Sequence, residues 1–127
     1  MKDGRLRLGA EGERAAKAFL LGEGFRILHE NYSTPLGEID LIAQEGEVVV
    51  FVEVKARRSL AFGPPQSSIT LTKQRQIVKA AALFLERKGL AEAACRFDVV
   101  AVTFSGKGRP EVFLIRDAFG AGGSAIF

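Results

Sequence analysis

Apolar residues recur at three-four spacing between residues 9 and 23, where Ala15, Ala16, Phe19 and Leu20 share one side. That spacing predicts an amphipathic helix, stopped by Gly24. The pattern then changes period. FRILHENY, residues 25–32, predicts a strand closed by the Ser33-Thr34-Pro35 cluster. Residues 36–43 and 48–55 predict two more strands around the turn Gln44-Glu45-Gly46-Glu47, and so short a connection makes them antiparallel neighbours. A loop over 56–69 contains Gly63-Pro64-Pro65. A second helix follows from about Thr72 to Lys88, with Ile77, Ala80, Ala81, Phe84 and Leu85 on its apolar stripe and Gly89 as its stop. Residues 96–104 and 111–116 predict two last strands, and residues 118–127, AFGAGGSAIF, read as a flexible tail.

The order α-β-β-β-α-β-β predicts an α/β fold with a mixed sheet of about five strands flanked by helices. Its third and fourth strands are expected to lie parallel across a right-handed helical crossover. No repeat or long linker divides the chain, so residues 1–127 read as a single domain.

Within this apolar text four charged residues stand out of place: Glu38, Asp40, Glu53 and Lys55. Side chains alternate across a strand, which puts Glu38 and Asp40 on one face, opposite Ile39 and Leu41, and Glu53 and Lys55 on one face of the next strand. The third strand is apolar on both faces for most of its length, the signature of a central strand covered on two sides. Two registers fit the hairpin. In one, Gln44 pairs with Glu47 and Glu38 faces Glu53; in the other, Asp40 faces Glu53 and Glu38 faces Lys55. Either brings the carboxylates within roughly 4.5–8 Å of one another.

Clustered carboxylates repel, and their desolvation costs several kcal/mol per ion unless something compensates. One compensation is a divalent cation. Mg²⁺ takes a few carboxylate oxygens and keeps positions for water and phosphate, and the Val54 carbonyl lies between Glu53 and Lys55 to add an oxygen. Lys55 would then orient a water or stabilise phosphoryl charge. The other compensation is a plain ion-pair network in which Lys55 neutralises Glu53. Glu13 borders the apolar stripe of the first helix, either as a further ligand or as a solvated glutamate. Lys73 occupies the first turn of the second helix, where a cation opposes the helix dipole; a bound phosphate would explain it, and so would simple solvation.

Composition narrows the classes. The 18 Lys and Arg against 15 Asp and Glu leave a net charge of +3, too small to identify a partner by itself. The basic residues are clustered, however, at Lys55, Arg57 and Arg58 and again at Lys73, Arg75 and Lys79. The single Cys95 excludes an internal disulfide, and beside an apolar strand it is expected to be a buried inert thiol. His29 is the only histidine, which argues against zinc. No Gly-x-x-x-x-Gly-Lys-Ser/Thr loop is present, and the phenylalanines sit at core-like positions. With no apolar run near 18 residues and a charged N-terminus, the expected location is the cytoplasm, with no membrane contact.

The series Gly12-Glu13, Gly24-Phe25, Asn31, Gly37-Glu38-Ile39-Asp40-Leu41-Ile42, Phe51-Val52-Glu53-Val54-Lys55 and Arg57 resembles the YraN family of bacterial proteins. Phe62-Gly63, Lys73 and Arg96-Phe97-Asp98 extend the likeness over residues 9–119. That family is similar in pattern to the PD-(D/E)XK nucleases, notably archaeal Holliday-junction resolvases. The resemblance implies a restriction-endonuclease-like fold and a Mg²⁺- or Mn²⁺-dependent DNA endonuclease, acting on branched or structured DNA. By it, Asp40, Glu53, the Val54 carbonyl and Glu13 would hold the metal, and Lys55 would complete the catalytic set. Arg57, Arg58 and Lys73 would steady the DNA backbone, while Glu38 and Gln66 would stand behind the ligands. Because junction resolvases act as pairs, it also implies a homodimer. Ile39 stands where many of these nucleases have proline. The superfamily includes members without nuclease activity, so a non-catalytic nucleic-acid-binding protein of the same fold is the alternative.

Overall fold

The computed structural model describes residues 4–58, 69–106 and 108–120. Among them are helices α1 (Gly4–Gly22) and α2 (Leu71–Arg87), and strands β1 (Arg26–Thr34), β2 (Gly37–Glu45), β3 (Val48–Arg57), β4 (Cys95–Thr103) and β5 (Glu111–Phe119). The strands form one sheet in the order β1-β2-β3-β4-β5. Every neighbouring pair is antiparallel except β3 and β4, which are parallel because α2 carries the chain back between them. This is the α/β, mixed five-stranded architecture that the order of elements predicts.

A core lies on each face of the sheet. On one side Ala16 and Leu20 of α1 pack with Leu41, Val50, Val52, Val100 and Val102. On the other, Ile77, Ala80 and Phe84 of α2 pack with Ile42, Val49, Phe51 and Phe97. The central strand β3 therefore feeds Val50 and Val52 to one core and Val49 and Phe51 to the other. Each such fully buried side chain contributes about 1.5–3 kcal/mol, which explains a strand with almost no polar alternation.

The β2–β3 turn is tighter than the four residues expected. Glu45 pairs with Val48, leaving only Gly46 and Glu47 in the loop, and Gly46 takes the left-handed φ of 60° that such a turn requires. The ladder then runs to Leu41 opposite Val52, which is the second of the two registers. Helix α1 begins at Gly4, five residues before the periodicity becomes visible. Arg5-Leu6-Arg7-Leu8 alternates with a period of two there, which hides the helical spacing.

Two expectations need correction. The tail does not start at residue 118: β5 continues to Phe119, and Ala118 and Phe119 are buried. The cause is a register shift between Phe97 and Val99, with Asp117 in a left-handed conformation at φ 55°. The buried Asp98 accepts the Asp117 N–H at 2.9 Å and the Arg96 Nε at 3.0 Å, so Phe119 turns inward to stack on Phe97. The rest of the expected tail, residues 121–127, lies outside the described residues. Cys95 is exposed rather than buried, because it opens β4 at the end of the sheet. No helix among the described residues is long and apolar enough to cross a membrane.

Candidate functional site

At the end of the sheet where β2 begins and β3 ends, the β2–β3 ladder stops at Leu41 and Val52. Alternation breaks at the same place. Ile39 packs into the α2-side core and Leu41 into the α1-side core, so they do not share the face that strict alternation assigns them. Asp40 lies at this break, and its Oδ2 accepts the backbone N–H of Val54 at 2.8 Å. A carboxylate thus takes the place of a ladder carbonyl, which holds the strands apart and turns the acid group inward.

Glu53 meets Asp40 there and is only 8% exposed. Burial first, then the charge of Asp40, pushes the Glu53 carboxyl up to about 8, against the pull of Lys73 and Lys55. Asp40 is also raised by burial, although the Val54 N–H and a hydrogen bond with Glu53 oppose that rise. Both carboxyls are thus held above their ordinary range, chiefly because burial disfavours their charged forms. Lys73 Nζ stands 3.9 Å from Glu53 Oε2. A cleft of about 360 Å³ opens over the pair, lined by Gly9, Glu13, Asp40, Glu53, Val54 and Lys55.

Glu13 therefore reaches the site from α1. Its carboxyl is raised by burial and by Asp40, while a hydrogen bond from Asn31 counters the rise. Asn31 has a left-handed φ of 51°, a conformation that asparagine adopts more readily than most residues. The strand pattern carries no sign of its contact with Glu13 beyond an Asn among strand-forming residues. Lys73 fits its expected place: its N–H is capped by Thr70 Oγ1 at 3.1 Å, and its side chain turns to the acid pair.

Other residues stand apart. Arg57 and Arg58 follow Lys55 at the end of β3, beyond the residues that line the cleft, and Arg57 is half-buried. Glu38 is exposed and pairs with Ser33 across β1; it faces neither Glu53 nor Lys55 along the β2–β3 ladder. Gln66 lies outside the described residues.

The donor set can be tested against a metal. Among the described residues no three His, Cys, Asp or Glu side chains are gathered closely enough to hold an ion by themselves. Two desolvated carboxylates and the adjacent Val54 carbonyl are hard oxygen donors. They suit an ion such as Mg²⁺ that retains water and binds phosphate, and they do not suit a closed zinc site.

The fold and site together define an α/β domain with a buried acid pair at the carboxyl end of its central strand, flanked by two lysines. The chain belongs to the uncharacterised protein family UPF0102, whose model matches residues 12–102. It is similar to a UPF0102 protein of Desulfosudis oleivorans, 49% identical over 122 residues that cover 95% of this chain and 96% of the relative. It is likewise similar to a UPF0102 protein of Geotalea uraniireducens, 48% identical over 112 residues and 88% of each chain. UPF0102 protein STH1475 of Symbiobacterium thermophilum is 48% identical over 115 residues, which are 91% of this chain and 98% of that one.

Proposed function

We propose that this chain is a metal-dependent endonuclease that hydrolyses phosphodiester bonds of DNA, with branched or structured DNA as its substrate class. The observation that carries the reading is the acid pair. Asp40 and Glu53 are desolvated together, at a cost the fold would not retain without a use for it, and Lys55 and Lys73 adjoin them. The likeness to the PD-(D/E)XK pattern supplies the reaction class.

Asp40, Glu53 and the Val54 carbonyl, assisted by Glu13, would hold Mg²⁺ or Mn²⁺. That ion, when bound, neutralises phosphoryl charge and makes water more acidic. Lys55 directs a cation into the cleft, where it orients the attacking water and offsets charge on the phosphate. Lys73 binds a neighbouring phosphate from the first turn of α2, and Arg57 and Arg58 extend the contact along the backbone. Asn31 keeps Glu13 aimed at the cleft. A homodimer would present two clefts to a two-fold branched substrate.

The test is Mg²⁺- or Mn²⁺-dependent cleavage of linear, flapped and four-way DNAs by the purified protein. Asp40→Asn and Lys55→Ala are expected to lower cleavage by about a hundred- to a thousandfold or more while melting stays cooperative. A Lys55→Ala protein that cuts like wild type overturns the mechanism. One observation favours a second reading, binding without cleavage: among the described residues no third acidic, His or Cys side chain joins Asp40 and Glu53 closely enough to hold an ion. That reading predicts salt-sensitive DNA binding indifferent to EDTA, and no product from any substrate.

A further inference from the structure

A second cavity, of about 340 Å³, opens beside the acid pair at the β1–β2 turn. Ser33, Pro35, Leu36, Glu38, Lys73 and Gln76 line it. The turn is held stiffly. Thr34 Oγ1 accepts from the N–H of Leu36 at 3.0 Å and of Gly37 at 3.1 Å, and donates to the Gly37 carbonyl at 3.0 Å. Gly37 lies so close to α2 that a Cβ there would fall 2.7 Å from the Gln76 carbonyl oxygen. Leu36 is therefore fixed in position, yet it is 48% exposed to water. Lys73 belongs to both places, since its Nζ also approaches Glu53 at 3.9 Å.

We infer that this groove receives a single unpaired nucleobase of the DNA, adjacent to the phosphate that Lys73 binds. The inference rests on the nucleic-acid reading above and sharpens its substrate class. Charge decides against a groove that only follows the backbone, because Glu38 would repel a second phosphate. A neutral base resolves the conflict. Its exocyclic amine donates to the Glu38 carboxylate, the Gln76 amide meets its remaining edge, and Leu36 covers one face. A base inside a continuous duplex has its faces stacked and its pairing edge engaged, so it cannot make these contacts. A flap, gap or junction supplies one that can. Glu38, exposed and off the acid pair, thereby acquires a role as a reader of the base.

The test measures binding in EDTA, by anisotropy of labelled DNA carrying a three-nucleotide overhang and of a blunt duplex of equal length. Wild type is expected to prefer the overhang. Leu36→Ala is expected to weaken overhang binding by about five- to tenfold and leave the blunt duplex unchanged. Glu38→Gln is expected to weaken cytosine and adenine overhangs more than thymine ones. Melting curves confirm that both exposed-site variants fold. Equal losses on both DNAs, or none on either, overturn the inference. Since no cleavage is read, overhang selectivity in a protein that cuts nothing supports the groove and defeats the hydrolytic reading. Cleavage without selectivity at Leu36 and Glu38 defeats the groove alone, and absence of any DNA binding defeats both.

Discussion

Burial, followed by the charge of Asp40, pushes the Glu53 carboxyl from its ordinary 4.5 in an unfolded chain up to about 8 in the fold. In metal-free protein the unfolded state therefore loses this proton first as pH rises. Stability falls from about pH 4.5 to about pH 8 and then levels, and the raised Asp40 acts in the same direction. Glu53→Gln removes the larger contribution. In EDTA the variant should gain on wild type as pH rises, and should melt above it at pH 8. Parallel melting curves across that range would show that Glu53 is not held neutral. How the acids come together was only partly legible. Strand alternation correctly associates Asp40 with Glu53 and Lys55, but it gives Ile39 and Leu41 one face. The actual device, a carboxylate bonded to the Val54 N–H where the ladder ends, depends on a backbone irregularity that no residue pattern announces.

At the scale of elements, periodicity was most informative where one side of an element is buried, as in α2, whose stripe Ile77, Ala80, Ala81 and Phe84 is buried. It failed where a polar residue serves the backbone. Asp98 and Asp117 interrupt the apolar text of β4 and β5, yet they shape the bend that buries Phe119. Helix α1 is the other case, and its glycines divide by position. A Cβ at Gly12 would lie 2.5 Å from the Cβ of Ala56, so α1 rests almost directly on β3 at this point. That close approach is what brings Glu13, the next residue, over the acid pair. At Gly9 nothing lies within 4 Å of an added Cβ. Gly12→Ala should thus destabilise the protein by about 1–3 kcal/mol through overpacking, less the gain in helix propensity. Gly9→Ala should stabilise it by up to about 1 kcal/mol. Urea denaturation of both variants checks the contrast, and a Gly12→Ala protein as stable as Gly9→Ala would show that α1 is free to move off the sheet.

Across the whole molecule, Glu13 comes from α1, Asp40 from β2, Glu53 and Lys55 from β3, and Lys73 from α2. These elements belong to two separate cores, one on each face of the sheet. They meet at the carboxyl end of β3, where an open α/β sheet ordinarily binds its ligand. In metal-free protein the meeting point is destabilised by like charge and desolvation, so an ion bound there strengthens the folded state alone. Linkage sets the size: at a hundred times its dissociation constant, Mg²⁺ or Mn²⁺ should add about 2.7 kcal/mol. For a domain of this size that is a rise on the order of 10 °C in melting temperature. Binding should also release protons at neutral pH, because Glu53 must give up the one it holds. Asp40→Asn and Glu53→Gln should lose most of the rise, and Leu36→Ala should keep it. Differential scanning calorimetry with and without the ion decides the matter: a rise retained by both carboxylate variants places the ion elsewhere, and no rise at millimolar Mn²⁺ leaves the acid pair without a metal to hold.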